Sequence, residues 1–233
     1  MPYKHNISII SNVNAHLSHV YTSGILLHTR FNRNAGFPAD KLICVQNAVR
    51  MVAAQLPKDI RRISPLTVMI HPGVICEACW WPEGPTGERV MFVGDKIFDE
   101  NPVYANQSPI YGEGLNGKRG IADQLREADI LHELRGAMAV PGRSAGAAVR
   151  GIAAVVHELG HFLHGAINPG DFWRYKSFGS QALVAPEIGM QVSGYATKNP
   201  LEFVAEVFTG LIFGLRYSEN VIAQYHGYGG FYL

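Results

Sequence analysis

The chain is poor in the features that mark several protein classes. It has three cysteines, Cys44, Cys76 and Cys79, an odd number and too few for a disulfide framework. No run approaches the roughly 18 consecutive apolar residues of a membrane-spanning helix, and Met1 to Ile10 lacks the apolar core of a Sec signal peptide. Neither sign of charge is in excess: 20 Lys and Arg stand against 19 Asp and Glu, which argues against a general binder of nucleic acid or anionic membrane. No internal repeat or low-complexity tract is present. With 47% apolar and 17% charged residues, the 233-residue chain has an ordinary globular composition. A single domain over 1–233 is expected, with 1–38 as an N-terminal arm or elaboration.

The periodicities read as α+β. Short β-prone pieces occur at Ile7–Ile10 and Ile25–His28, among His5, His16, His19 and His28, whose scatter fits surface or hydrogen-bonded histidines better than ligands. From Asp40 to Leu56 the spacing of Leu42, Val45, Val49, Val52 and Leu56 is helical, and Pro57 stops it. Leu66–His71 and Arg89–Val93 read as buried strands. The stretch 94–120 is dense in Pro, Asn, Gly and Tyr and reads as loop, and 121–134 reads as helix. Cys76 and Cys79 form a C-x-x-C with no second pair to complete a zinc site, so they read as incidental thiols, with half a zinc site or a redox pair as the alternatives. Trp80-Trp81-Pro82 reads as an apolar wall or buried turn.

Chemistry concentrates at His157-Glu158-Leu159-Gly160-His161. On a helix, positions four apart differ by only about 40° around the axis, so both imidazoles can chelate one metal ion. Glu158 is turned about 100° from His157, which leaves its carboxylate free to handle a water as general base. The run Ser144–Leu163 is rich in apolar residues and reads as a mostly buried helix, capped by Ser144 and ended at Gly165. Buried histidines need partners.

A catalytic zinc ion usually has three protein ligands and an open fourth position. The metzincin extension of the motif fails, because His164 stands where glycine should be and Ile167 where the third histidine should be. His164 lies one turn beyond His161, and reads as part of the cleft wall or as a partly positive imidazole at the helix C-terminus. The better third ligand lies downstream. Asn199 can cap a helix opened by Pro200, on which Phe203, Val207, Phe208 and Leu211 form an apolar face and Glu202 and Glu206 share another. Carboxylates on so apolar a helix are costly unless paired or bound to a cation, which favours Glu202 as ligand. The alternative has Glu202 completing a capping box with Asn199 and Glu206 facing water.

Together, His157–His161 and the segment Ser193–Phe208, with Tyr195 followed by Asn199-x-x-Glu202-Phe203-x-Ala205-Glu206, resemble the active-site segments of gluzincin-like zincin toxins of the anthrax lethal factor type. The resemblance covers those two stretches and not the first hundred and forty residues. It implies an α+β zincin-like metallopeptidase domain with a small sheet and an H-E-x-x-H active-site helix. It also implies one zinc ion on His157, His161 and Glu202, with Glu206 behind the ligands and Tyr195 stabilising the transition state.

The expected activity is zinc-dependent hydrolysis of peptide bonds in a protein or peptide substrate, with Glu158 moving the proton. Tyr195 lies seven residues before Glu202, where its hydroxyl can point at the developing oxyanion. The expected setting is a bacterial toxin or effector delivered by a dedicated secretion system, with a cognate immunity protein as partner if the target is bacterial. A cytosolic regulatory peptidase, a zinc amidase acting on cell-wall peptides and a binding module with a structural metal are the alternatives. The aromatic-rich segment between Leu163 and Tyr195 is expected to wall or cover the cleft.

Overall fold

A computed structural model describes residues 15–32, 38–71, 76–98, 138–178 and 184–233. The architecture is mixed α+β, with one five-stranded sheet and six α-helices among the described residues. Strands β1 (Ala15–Thr22), β2 (Ile25–Asn32), β3 (Leu66–Ile70), β4 (Cys76–Trp81) and β5 (Glu88–Val93) lie in the order β1-β2-β3-β5-β4. Pairing is parallel for β2 with β3 and for β3 with β5, whereas β1 and β4 run antiparallel at the two edges. Residues 15–32, within the stretch read as an arm or elaboration, thus supply a hairpin that extends the sheet. Ile7–Ile10 and the expected helix at 121–134 fall outside the described residues, as do residues 99–120 of the expected loop.

Alternation decides which face carries the core. On β2, Ile25, Leu27, Thr29 and Phe31 are buried while Leu26, His28 and Arg30 are half-exposed. Ile25 and Leu27 join Val68, Met91 and Val93 under helix α1 (Ala39–Gln55), whose Val45, Ala48, Val49 and Val52 are fully buried. Burying one such aliphatic side chain contributes about 1.5–3 kcal/mol.

Helix α2 (Ala145–Ile167) runs through the middle of this core. Ser144 caps it as expected, its Oγ accepting the Ala147 N–H. Gly165 does not end it: the helix continues because Ala166 and Ile167 still pack on the core, and Asn168 is the cap residue. The remaining helices are α3 (Pro169–Phe178), α4 (Pro186–Val192), α5 (Pro200–Ile212) and α6 (Glu219–Gly227). Helices α3 and α4 occupy the segment expected to wall the cleft, residues 179–183 lying outside those described. Trp173 of α3 packs on Trp80 of β4, and the Lys176 ammonium lies 4.8 Å from the Trp80 ring centre, so α3 is held against the edge strand.

The C-x-x-C lies on β4, not on a turn. Cys76 and Ala78 pack toward the helices, whereas Cys79 joins Met69, Val90 and Phe92 on the other face. Two thiols on opposite faces of a strand serve neither as a redox pair nor as half of one metal site. Among the described residues, no helix is long and apolar enough to cross a membrane.

Candidate metal centre

Two helices and one edge strand build the site. Asn199 opens α5 by accepting the N–H groups of Leu201 and Glu202 on its Oδ1, an N-cap that contributes about 1 kcal/mol, and Pro200 follows at the first position. The amide of Glu202 is thereby fixed while its side chain is free to face α2. Gly160, inside the histidine motif, lets the two helices approach. A Cβ there would lie 2.8 Å from Phe208 Cδ1 and 3.4 Å from the Ala205 Cα, closer than a side chain tolerates without displacement.

At this crossing His157, His161 and Glu202 converge, with one ligand atom from each lying within 4.8 Å of the others. Glu202 Oε2 is 3.1 Å from His157 Nε2 and 3.3 Å from His161 Nε2. Tetrahedral zinc with bonds of about 2.0 Å needs neighbouring ligand atoms about 3.3 Å apart, so the spacing and the two-nitrogen, one-oxygen donor set fit such an ion. Glu202 is a partner of both histidines rather than a capping-box residue.

Glu206 stands behind the ligands and is fully buried. Its Oε1 meets His157 Nδ1 at 2.9 Å, which orients the ring and directs Nε2 into the site. Its Oε2 accepts a 2.7 Å bond from the Ser193 hydroxyl. Burial alone would lower the His157 pKa, but the hydrogen bonds to Glu202 and Glu206 outweigh it and push the imidazole up to about 10. Burial would likewise raise Glu202, and its bonds to His157 and His161 instead hold it well below the usual carboxylate range. The cluster is charged on both sides, so a cation entering at Nε2 displaces a proton.

Glu158 is not among the converging ligands. Its Oε2 accepts the backbone N–H of Ala78 at 2.8 Å, on the side of β4 that β5 leaves unpaired. Burial raises its pKa, His157 and His161 oppose that rise, and the net shift is upward. A carboxylate tuned upward is a stronger base than a solvated one. Tyr195 lies on a single 3₁₀ turn, Tyr195–Thr197, with its ring centre 5.9 Å from that of His157. Burial and the charges of Glu202, Glu158 and Glu206 raise its pKa, so the phenol keeps its proton and can donate it in a hydrogen bond. The Lys198 ammonium lies 3.5 Å from the hydroxyl.

Six of the seven residues singled out in the sequence therefore meet in one cluster: His157, Glu158, His161, Tyr195, Glu202 and Glu206. His164 does not line the cleft. It is fully buried against Phe172, beneath Gly229, whose left-handed φ of +83° and missing Cβ admit the close approach: a Cβ there would lie 2.9 Å from His164 Nε2. Burial, and then the charge of His161, pushes its pKa down to about 3, so the imidazole is neutral rather than partly positive. Its burial overrides the dipole argument. Sequence reasoning missed the Ala78 amide, which carries no side-chain signal, and Ser193, whose position three before Ala196 fits a local cap.

No family model matches the chain, and searches of curated proteins and of solved structures likewise find no match.

Proposed function

We propose that this chain is a zinc-dependent endopeptidase of the zincin type. The observation that carries the reading is the convergence of His157, His161 and Glu202, with the carboxylate of Glu158, next to His157 on the same helix, held on the Ala78 amide rather than joined to them. When bound, zinc supplies Lewis acidity toward water and toward a carbonyl oxygen. Glu158 accepts the proton from the attacking water and returns it to the leaving amine. Ala78 holds that carboxylate in place through its amide. Tyr195 keeps its proton and donates a hydrogen bond to the oxygen on which negative charge develops. His157 is kept in one orientation by Glu206.

The likeness of Ser193–Phe208 to zincin toxins supports an effector setting, with a protein or peptide substrate and, for a bacterial target, a cognate immunity protein. The deciding experiment is elemental analysis of the purified chain combined with cleavage of a broad peptide library, with Glu158→Gln as control. One zinc ion per chain and cleavage lost in the variant is the expected result. Stoichiometric metal with no turnover in the wild type would overturn the peptidase reading in favour of a binding module with a structural metal.

A further inference from the structure

Ser193 is fully buried, lies between α4 and the turn that carries Tyr195, and bonds in two directions. Its hydroxyl proton goes to Glu206 Oε2 at 2.7 Å, and its oxygen accepts the Ala196 N–H at 3.1 Å. Glu206 in turn meets His157 Nδ1 at 2.9 Å. A hydroxyl has one proton to give, so donation to Glu206 fixes its rotor and aims a lone pair at Ala196. Capping the turn alone would need only an acceptor, a task that Asp or Asn performs as well. Asp at this position would set a second carboxylate against the buried Glu206. The donor is therefore the informative half of the interaction, which joins two fully buried side chains.

We propose that Ser193 is a positioning residue that ties the turn bearing Tyr195 to the imidazole of His157 through Glu206, so that metal occupancy and the placement of Tyr195 are coupled. The proposal rests on the metal-site reading given above. A metal held on Nε2 fixes the His157 ring, the ring fixes Glu206, and Glu206 fixes the hydroxyl on which the Ala196 amide hangs. Coupling of this kind is reciprocal: what loosens the turn weakens the metal.

The test uses the whole chain, stripped of metal and then titrated. Zinc affinity is read by competition with a chromophoric chelator, ligand geometry by the visible spectrum of the Co2+ form, and the turn by amide exchange at Ala196. In the wild type, zinc should slow exchange at Ala196. Ser193→Ala should bind zinc about 10-fold more weakly, the lower end for groups that orient a ligand. It should also shift the Co2+ spectrum and abolish the effect of zinc on Ala196, and Ser193→Thr, which keeps the hydroxyl, should restore zinc affinity. A Ser193→Ala protein with wild-type zinc affinity and Co2+ spectrum, in which only Ala196 exchanges faster, overturns the coupling and leaves a simple turn cap. Should Ser193→Ala fail to fold, Glu206→Gln carries the test: faster Ala196 exchange in its zinc-loaded form supports the coupling, and unchanged exchange overturns it. A wild-type chain that binds no zinc overturns the metal reading and this proposal together.

Discussion

His157 and His164 sit two turns apart on one helix and are both buried, at 2% and 0% exposure, yet their environments drive them in opposite directions. His157 has a carboxylate on each ring nitrogen and is pushed up to about 10. Among the described residues no side chain is bonded to either ring nitrogen of His164, which faces Phe172 and is pushed down to about 3. Burial works to lower the pKa of both. What differs is helix α5, which brings Glu202 and Glu206 to the first histidine and nothing comparable to the second. The candidate metal centre is distinguished from a core position by the groups facing it, not by residue type or depth.

Removing those groups should erase the difference, and the largest effects are expected there and at the neighbouring carboxylate of Glu158. Glu158→Gln should keep zinc and lose turnover, by at least the roughly 10²–10⁴-fold that a positioned proton carrier supplies, as read by peptide cleavage against metal content. Glu202→Ala should lose a direct ligand and weaken zinc well beyond the range of about 10–100-fold typical of groups that only orient ligands. Undiminished zinc affinity in that variant would remove Glu202 from the metal set and make Glu206 the next candidate.

Tyr195→Phe keeps the ring beside His157 and removes the donor. A fall of about 10²–10³ in kcat is expected, with KM, zinc content and Tm nearly unchanged. Wild-type turnover in this variant would make Tyr195 a packing residue. Glu206→Ala should be milder, at about 10–100-fold in zinc affinity measured by chelator competition, because it keeps His157, His161 and Glu202 and frees the His157 ring and the Ser193 hydroxyl. A variant with wild-type affinity would mean that packing alone orients His157.

What was legible in the chain follows the same division. The spacings His157–His161 and Glu202–Glu206 are legible because helix geometry converts sequence distance directly into a shared face. Asn199-Pro200 marks the start of α5 by local chemistry, and that start sets the direction of Glu202. Cys76–Trp81 reads poorly because a pair of thiols and a pair of tryptophans before proline mimic a motif and a turn. Its strand character comes from pairing with β5, a partner seven residues further along the chain. Ala78 and Ser193 are invisible for a related reason: an amide and a small hydroxyl gain their roles only from Glu158 and Glu206, which other elements bring to them. His164 was misread because the dipole at a helix end is a local argument, and its covering by Phe172 and Gly229 is not.

The smallest effect tests the second histidine alone. His164 has a folded pKa of about 3 against about 6.5 when unfolded, so on acidification the unfolded chain takes up the proton first. Its contribution to stability is complete above about pH 6.5 and is lost as pH falls toward 3. The slope is at most about 1.4 kcal/mol per pH unit, or about 2 kcal/mol between pH 7 and pH 5. His157 has the opposite sign in the metal-free chain: its raised pKa gives a contribution that is complete below about 6.5 and is lost as pH rises through about 10. The two can therefore be separated by urea unfolding of metal-free wild type and His164→Leu at pH 7 and pH 5, a window above most carboxylate titration. The variant removes the His164 imidazole and leaves His157 in both proteins, so the wild type should lose about 2 kcal/mol more than the variant on going to pH 5. Equal losses in the two proteins would mean that His164 finds a partner or water when protonated, and the contrast between the two ends of α2 would then rest on His157 alone.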